Sequence, residues 1–155
     1  MSAREISLLL IDSNEQHQET IQDLLGDRYQ IYVAATGREG IRMAHKHIPD
    51  FIFIGKELPD GDCPEVCQKL KNHQLSSHIP ILLIGQHINP FRARFKYKVD
   101  VFLDYPYEMR QLLSQIRKMV QFKIKLQERY ALFAKRDSRL VSEESFLSDL
   151  ILRLP

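Results

Sequence analysis

The chain has few cysteines, no long apolar run and almost no net charge. Its two cysteines, Cys63 and Cys67, are too few for a disulfide framework. Met1 leads into Ser-Ala-Arg-Glu and not into a basic, then apolar, signal segment, so a reducing cytoplasm is the expected location. The longest uncharged run, Asn72 to Phe91, is broken by Gln, Ser, His, Pro, Gly and Asn, which excludes a membrane span there. A formal charge of +2 does not announce nucleic acid or an anionic membrane. What is present is 155 residues, 44% hydrophobic and 27% charged, enough for one cored domain with a modest tail.

Charge is unevenly spread. Residues 1–109 hold 12 basic against 15 acidic side chains, residues 110–139 hold 9 against 2, and residues 140–155 hold 1 against 3. A mildly acidic body therefore carries a basic stretch, and the composition changes there.

Short apolar runs recur at Ile6–Ile11, Ile31–Ala35, Phe51–Ile54, Ile79–Ile84 and Val101–Leu103, each followed by a polar or glycine-containing turn. They read as buried strands. Helix-length segments lie between them. Thr36 with Glu39, and Asp62 with Glu65, pair a capping side chain with a carboxylate three residues on. Ile21, Leu24 and Leu25, then Val66 and Leu70, supply inward stripes. Strands apolar along their length, each separated from the next by a helix, predict an α/β fold with a parallel sheet covered on both faces. Ligands of such sheets gather at the carboxyl ends of the strands.

Those ends carry a resemblance. The stretches LLLIDSNEQ, PDFIFIGKELPDGDCPEVCQKLK, HIPILLIG and VDVFLDYPYE resemble the receiver domain of bacterial response regulators over roughly residues 4–121. The resemblance implies a doubly wound, five-stranded parallel sheet of flavodoxin-like type, strand order 2-1-3-4-5, and the residue pattern adds a long C-terminal helical extension. The expected division is a receiver-like domain over 1–121, a basic helical extension and linker over 122–139, and a terminal amphipathic helix over 140–155.

Where the family keeps its chemistry, this chain departs from it. Receivers place two acids after the first strand, a phosphorylated Asp after the third, Ser or Thr after the fourth and Lys after the fifth. Here Asp12 fills the first position, and Ser13, Gly55, Gly85 and Tyr105 fill the others. Gly55 offers no carboxylate to act as nucleophile. Asp12 alone is a poor set for a Mg²⁺ ion, and Tyr105 cannot neutralise phosphate as Lys would. A degenerate receiver with no phosphorylation, no metal site, no cofactor and no enzymatic activity is the expectation.

Neighbouring residues are weighed as substitutes. Lys56, Glu57 and Asp104 are candidate pocket contacts, with Lys56 placed to pair with Asp12, or else solvated loop charges. Phe102 occupies the position of the aromatic that receivers rotate on activation, and is expected to be locked in the core. Cys63 and Cys67, four apart on one helix, are expected to be buried inert thiols. Gly37 and Gly40 lack the third glycine of a nucleotide-binding turn.

From Glu108 a helical pattern continues without Gly or Pro to about Lys135, with Met109, Leu112, Ile116, Met119, Leu126, Tyr130 and Phe133 forming a seam interrupted by Lys123. A homodimer along Ile116, Met119, Leu126, Tyr130 and Phe133 satisfies it, as does a helix leading to an output domain or one folded back on its own domain. The scattered basic residues of 110–139 show no recognition-helix pattern, so direct DNA contact is not expected. Ser142 is expected to cap a last helix with an apolar stripe at Phe146, Leu147, Leu150, Ile151 and Leu154. The functional expectation is a phosphorylation-independent signalling module acting through protein partners on the face of the fourth helix, fifth strand and fifth helix. Its alternatives are the regulatory part of a longer transcription factor or signalling enzyme, and a small-ligand sensor using the vacated pocket.

Overall fold

The computed structural model describes residues 6–129 and 137–154. The chain divides into two compact units, Met1–Tyr105 and Pro106–Pro155.

In the first unit five strands alternate with helices: β1 Ser7–Ile11, α1 Glu15–Leu25, β2 Gln30–Ala34, α2 Gly37–His47, β3 Phe51–Gly55, α3 Cys63–Asn72, β4 Ile81–Gly85, α4 Pro90–Phe95 and β5 Val101–Asp104. All pairings are parallel and the sheet order is β2-β1-β3-β4-β5, the expected doubly wound arrangement. Successive side chains of a strand face opposite sides. Every residue of β3 is buried, so the sheet is covered on both faces.

Local chemistry sets the helix ends. Asn14 Oδ1 accepts the N–H groups of Gln16 (2.9 Å) and His17 (3.1 Å), starting α1 directly after the first strand. Thr36 Oγ1 accepts the Glu39 N–H at 3.1 Å, as its spacing predicts. Asp62 occupies the N-cap of α3 but makes no side-chain cap bond, and Pro64 at the second helical position has no N–H to offer it. Leu24 is 39% exposed and drops out of the inward stripe that Ile21 and Leu25 form.

Gly40 lets α2 lie close on β1. A Cβ there would fall 2.5, 2.7 and 2.9 Å from three side-chain carbons of Ile11, itself fully buried. Gly40→Val is therefore expected to cost about 1–3 kcal/mol by overpacking, read as a fall of several degrees in thermal midpoint.

A second helix start is capped from a distance. The Gly37 and Arg38 N–H groups donate to the Asp60 carboxylate at 2.8 and 3.0 Å, tying the turn after β3 to the start of α2. These backbone donors, Arg38 first, hold the Asp60 carboxyl below its usual pKa. A lowered folded-state pKa makes the stabilisation present above the unfolded value of about 3.9 and lost as pH falls through the folded value. The difference in thermal midpoint between the wild type and Asp60→Ala is thus expected to be full near neutrality and to close on acidification below about pH 4.

The second unit is a helical hairpin of α5 Met109–Arg129 and α6 Ser138–Arg153. The helices run antiparallel: Arg110 bonds the Leu154 carbonyl, Arg117 Nε and Gln121 Nε2 donate to Glu144 Oε1 at 3.1 and 3.3 Å, and the Asp137 N–H donates to Gln127 Oε1 at 3.1 Å. Leu112, Ile116 and Met119 are buried on α5, and Leu140 and Leu147 on α6. Thus α6 folds back along α5. Tyr130 and Phe133, expected on that seam, lie outside the described residues. Helix α6 begins four residues before Ser142: Asp137 Oδ1 accepts the Arg139 N–H at 3.0 Å, and the Arg139 guanidinium closes on the same carboxylate. Phe146 is 40% exposed, and only Leu147 of the predicted stripe is fully buried. No helix among the described residues is long and apolar enough to cross a membrane.

Candidate functional site

At the carboxyl edge of the sheet a cavity of about 230 Å³ is bounded by the turns after β1, β3 and β4 and by Tyr105 after β5. Backbone bonds fix these turns: the Asp12 N–H donates to Ala34 O (2.9 Å), Lys56 to Ile84 O (2.9 Å) and Tyr105 to Gly85 O (2.8 Å).

Asp12 is the buried acid of the site, 6% exposed. Its Oδ1 accepts the Asn14 N–H at 2.9 Å and its Oδ2 lies 3.3 Å from His17 Nδ1. Gln18 Nε2 donates to its carbonyl at 2.6 Å. The carboxylate leans over Gly55: a Cβ at residue 55 would sit 2.9 Å from Asp12 Oδ2 and 3.0 Å from Cγ. Asp12 thus takes the space that a side chain at Gly55 would need.

Lys56 stands in the same relation to Gly85. A Cβ there would meet Lys56 Cβ at 2.5 Å and Cδ at 3.0 Å, while Lys56 Nζ donates to the Gln86 carbonyl at 3.1 Å. Of the two alternatives for Lys56, the ion pair with Asp12 is not formed. Lys56 lines the cavity but lies across Gly85 toward Gln86, and the partner of Asp12 is His17.

No motif in the sequence singles out His17, which lies five residues beyond Asp12 in the first turn of a helix that begins at the strand end. Its ring packs on Tyr105, centroids 4.6 Å apart and planes tilted by 47°. Exposed Ser13 and Glu57 border the cavity. Asp104 does not: its Oδ1 accepts the Ile88 N–H at 2.9 Å and pins the turn after β4. Phe102 packs against the apolar core. Cys63 lies below the site with its Sγ 3.5 Å from the Gly55 carbonyl, and its thiol pKa is pushed up by the bond to Cys67 and by burial. A thiol held protonated is inert toward electrophiles.

The residues present do not suit a Mg²⁺ ion. An octahedral oxygen site calls for one or two free carboxylates, and here the one buried carboxylate is engaged at both oxygens. Among the described residues no group of three or more His, Cys, Asp or Glu side chains is placed to hold a metal.

An all-parallel doubly wound sheet of order β2-β1-β3-β4-β5 with its cleft at the strand ends defines the flavodoxin-like class of α/β domains. Within it the chain belongs to the response regulator receiver domain family, whose profile matches residues 8–117. Response regulator PleD of Caulobacter vibrioides is 28% identical over 135 residues, covering 83% of this chain and 28% of PleD. The polar-differentiation response regulator DivK of Brucella ovis is 28% identical over 79 residues, 50% of this chain and 64% of DivK. Among solved structures, a response regulator from Chloroflexus aurantiacus superposes with a TM-score of 0.68 at 25% identity, covering 74% of this chain and 96% of that one. The receiver domain of an HD domain-containing protein from Pseudomonas fluorescens superposes at 0.72 with 19% identity, covering 83% and 96%. The chain spans little more than a quarter of PleD.

Proposed function

We propose that this chain is a receiver-type signalling module that does not take up a phosphoryl group and that signals from the cytoplasm through contacts with protein partners. One observation carries the reading: the buried Asp12 carboxylate occupies the place of a side chain at residue 55, with both its oxygens engaged. An aspartyl acceptor is missing, and a Cβ at its position would press on Asp12. Lys56 lies over Gly85 and His17 against Tyr105 around the cavity where a receiver would keep metal, hydroxyl and lysine. Beryllofluoride with Mg²⁺ tests this. A ligand that binds the folded state raises its thermal midpoint by mass action. No shift is expected, and a saturable, Mg²⁺-dependent rise would overturn the proposal.

Association of two copies through α5 is proposed for its distal part. Beyond Val120, Phe122 is 45% exposed and Leu126 is half-buried, and the two line a groove with Lys125 and Arg129. Phe122→Asp is expected to turn a concentration-dependent dimer into a monomer by light scattering in about 500 mM salt, where charge-driven contacts are screened; equal masses for the two proteins at every concentration would remove this claim.

A second reading has one supporting observation. PleD is several times longer than the matched segment, which favours a chain that regulates further parts of a larger protein. A reading frame that continues past Pro155 supports it, and a stop codon there removes it.

A further inference from the structure

We propose that copies of this chain associate head to tail, with α4 of one copy docked on α1 of the next.

Helix α4 is the observation that asks for a partner. Phe91 and Phe95 are 69% and 58% exposed, and their rings face each other at 4.6 Å, forming one aromatic patch in water. Arg92, Arg94, Lys96 and Lys98 surround it, Arg94 lying 5.8 Å from the Phe95 ring centre. No acidic residue occurs between Glu65 and Asp100. Exposed aromatics with arginine are the composition of interface cores, and an unbalanced positive field selects an acidic occupant.

The same unit carries such a surface. Glu15, Glu19, Asp23 and Asp27 recur every four residues along and just beyond α1, all exposed. No Lys or Arg occurs from Asp12 to Asp27. Like charges four apart repel along a helix, so the local sequence opposes its own helix there. Beside them Leu24 is an exposed apolar residue that can receive an aromatic ring. Among the described residues none of these four acids and none of the four bases forms an ion pair within the chain.

The two surfaces cannot meet within one copy. With the sheet order β2-β1-β3-β4-β5, right-handed crossovers place α1 on one face and α2, α3 and α4 on the other. Each copy therefore offers one donor and one acceptor surface, a heterologous contact that extends into chains or rings. An anionic membrane would draw the same basic aromatic helix but would leave the acidic stripe unused.

Sedimentation velocity of the full chain tests this with three proteins: wild type, the α4 variant R92E/R94E and the α1 variant E19K/D23K. Both variants alter exposed side chains, and circular dichroism checks that each is folded. The wild-type sedimentation coefficient is expected to rise with concentration in about 50 mM salt and to lose most of that rise in about 500 mM, where the screening length is about threefold shorter. Each variant alone should lose it in low salt, and an equimolar mixture of the two should regain it, because the reversed α4 of one meets the reversed α1 of the other. A dimer through α5 survives both reversals and is distinguished by that. No salt-sensitive rise in the wild type, no loss in a folded variant, or no recovery on mixing would each overturn the proposal. So would a wild type that stays unassociated yet co-sediments with phosphatidylglycerol vesicles through Arg92 and Arg94.

Discussion

Gly55→Asp, the substitution that restores the family's acceptor residue, is expected to destabilise the protein by about 2–4 kcal/mol and to leave it without phosphoryl transfer. The new Cβ would stand 2.9 Å from Asp12 Oδ2, closer than real side chains approach, and the added carboxylate would enter a buried site already holding one. Two such carboxylates cannot both stay ionised without a cation between them. For a chain of this size the loss corresponds to roughly 5–15 °C in thermal midpoint. Gly55→Ala separates sterics from charge and should cost less. Combining Gly55→Asp with Asp12→Ala should cost less than the sum of the two single changes, because the residues compete for one space. Additive losses in urea unfolding would show that Asp12 and residue 55 do not share it.

Asp100→Ala is expected to cost about 2–4 kcal/mol at a place far from the cleft chemistry. One carboxylate oxygen of Asp100 accepts both Lys71 Nζ at 2.6 Å and the Ile81 N–H at 2.8 Å, and Lys71 Nζ also donates to the Ile79 carbonyl at 2.9 Å. The two side chains are only 15% and 18% exposed. Removing Asp100 leaves an ammonium and a strand-end N–H short of an acceptor in a partly dry setting, which costs more than the pair itself contributes. The urea midpoint should fall with the slope unchanged. The double change Lys71→Met with Asp100→Leu should recover most of the loss, since apolar replacement of both partners removes the stranded charge. If the double variant is no more stable than Asp100→Ala, desolvation is not the cause.

The strands were legible because each is a short run apolar on both faces, and the parallel order followed from the resemblance those runs carry. The departures from the family were legible too, since Gly55, Gly85, Ser13 and Tyr105 are visible as residue types. What fills the space was not. A glycine in a sequence reads as a vacancy, whereas here Asp12 and Lys56 lean into both vacancies, a consequence of three turns meeting at one edge of the sheet. His17 was missed for a related reason: its role depends on a ring reaching back over the strand end to Asp12 and across to Tyr105. Asp104 reads as a cleft acid from its position but is used by a turn amide. At the other end of the chain, the seam on α5 signalled a need for a partner without naming it. Helix α6 lies along α5, and it starts earlier than expected because Asp137 caps the helix and is clamped by Arg139.

Whether Asp12, His17, Tyr105 and Lys56 have replaced phosphoryl chemistry in this domain is read from the intact mass after incubation with acetyl phosphate and Mg²⁺, beside a phosphorylatable receiver as control. An unchanged mass is expected for this chain under conditions that modify the control. A phosphoryl adduct released by hydroxylamine, the mark of an acyl phosphate, would contradict it.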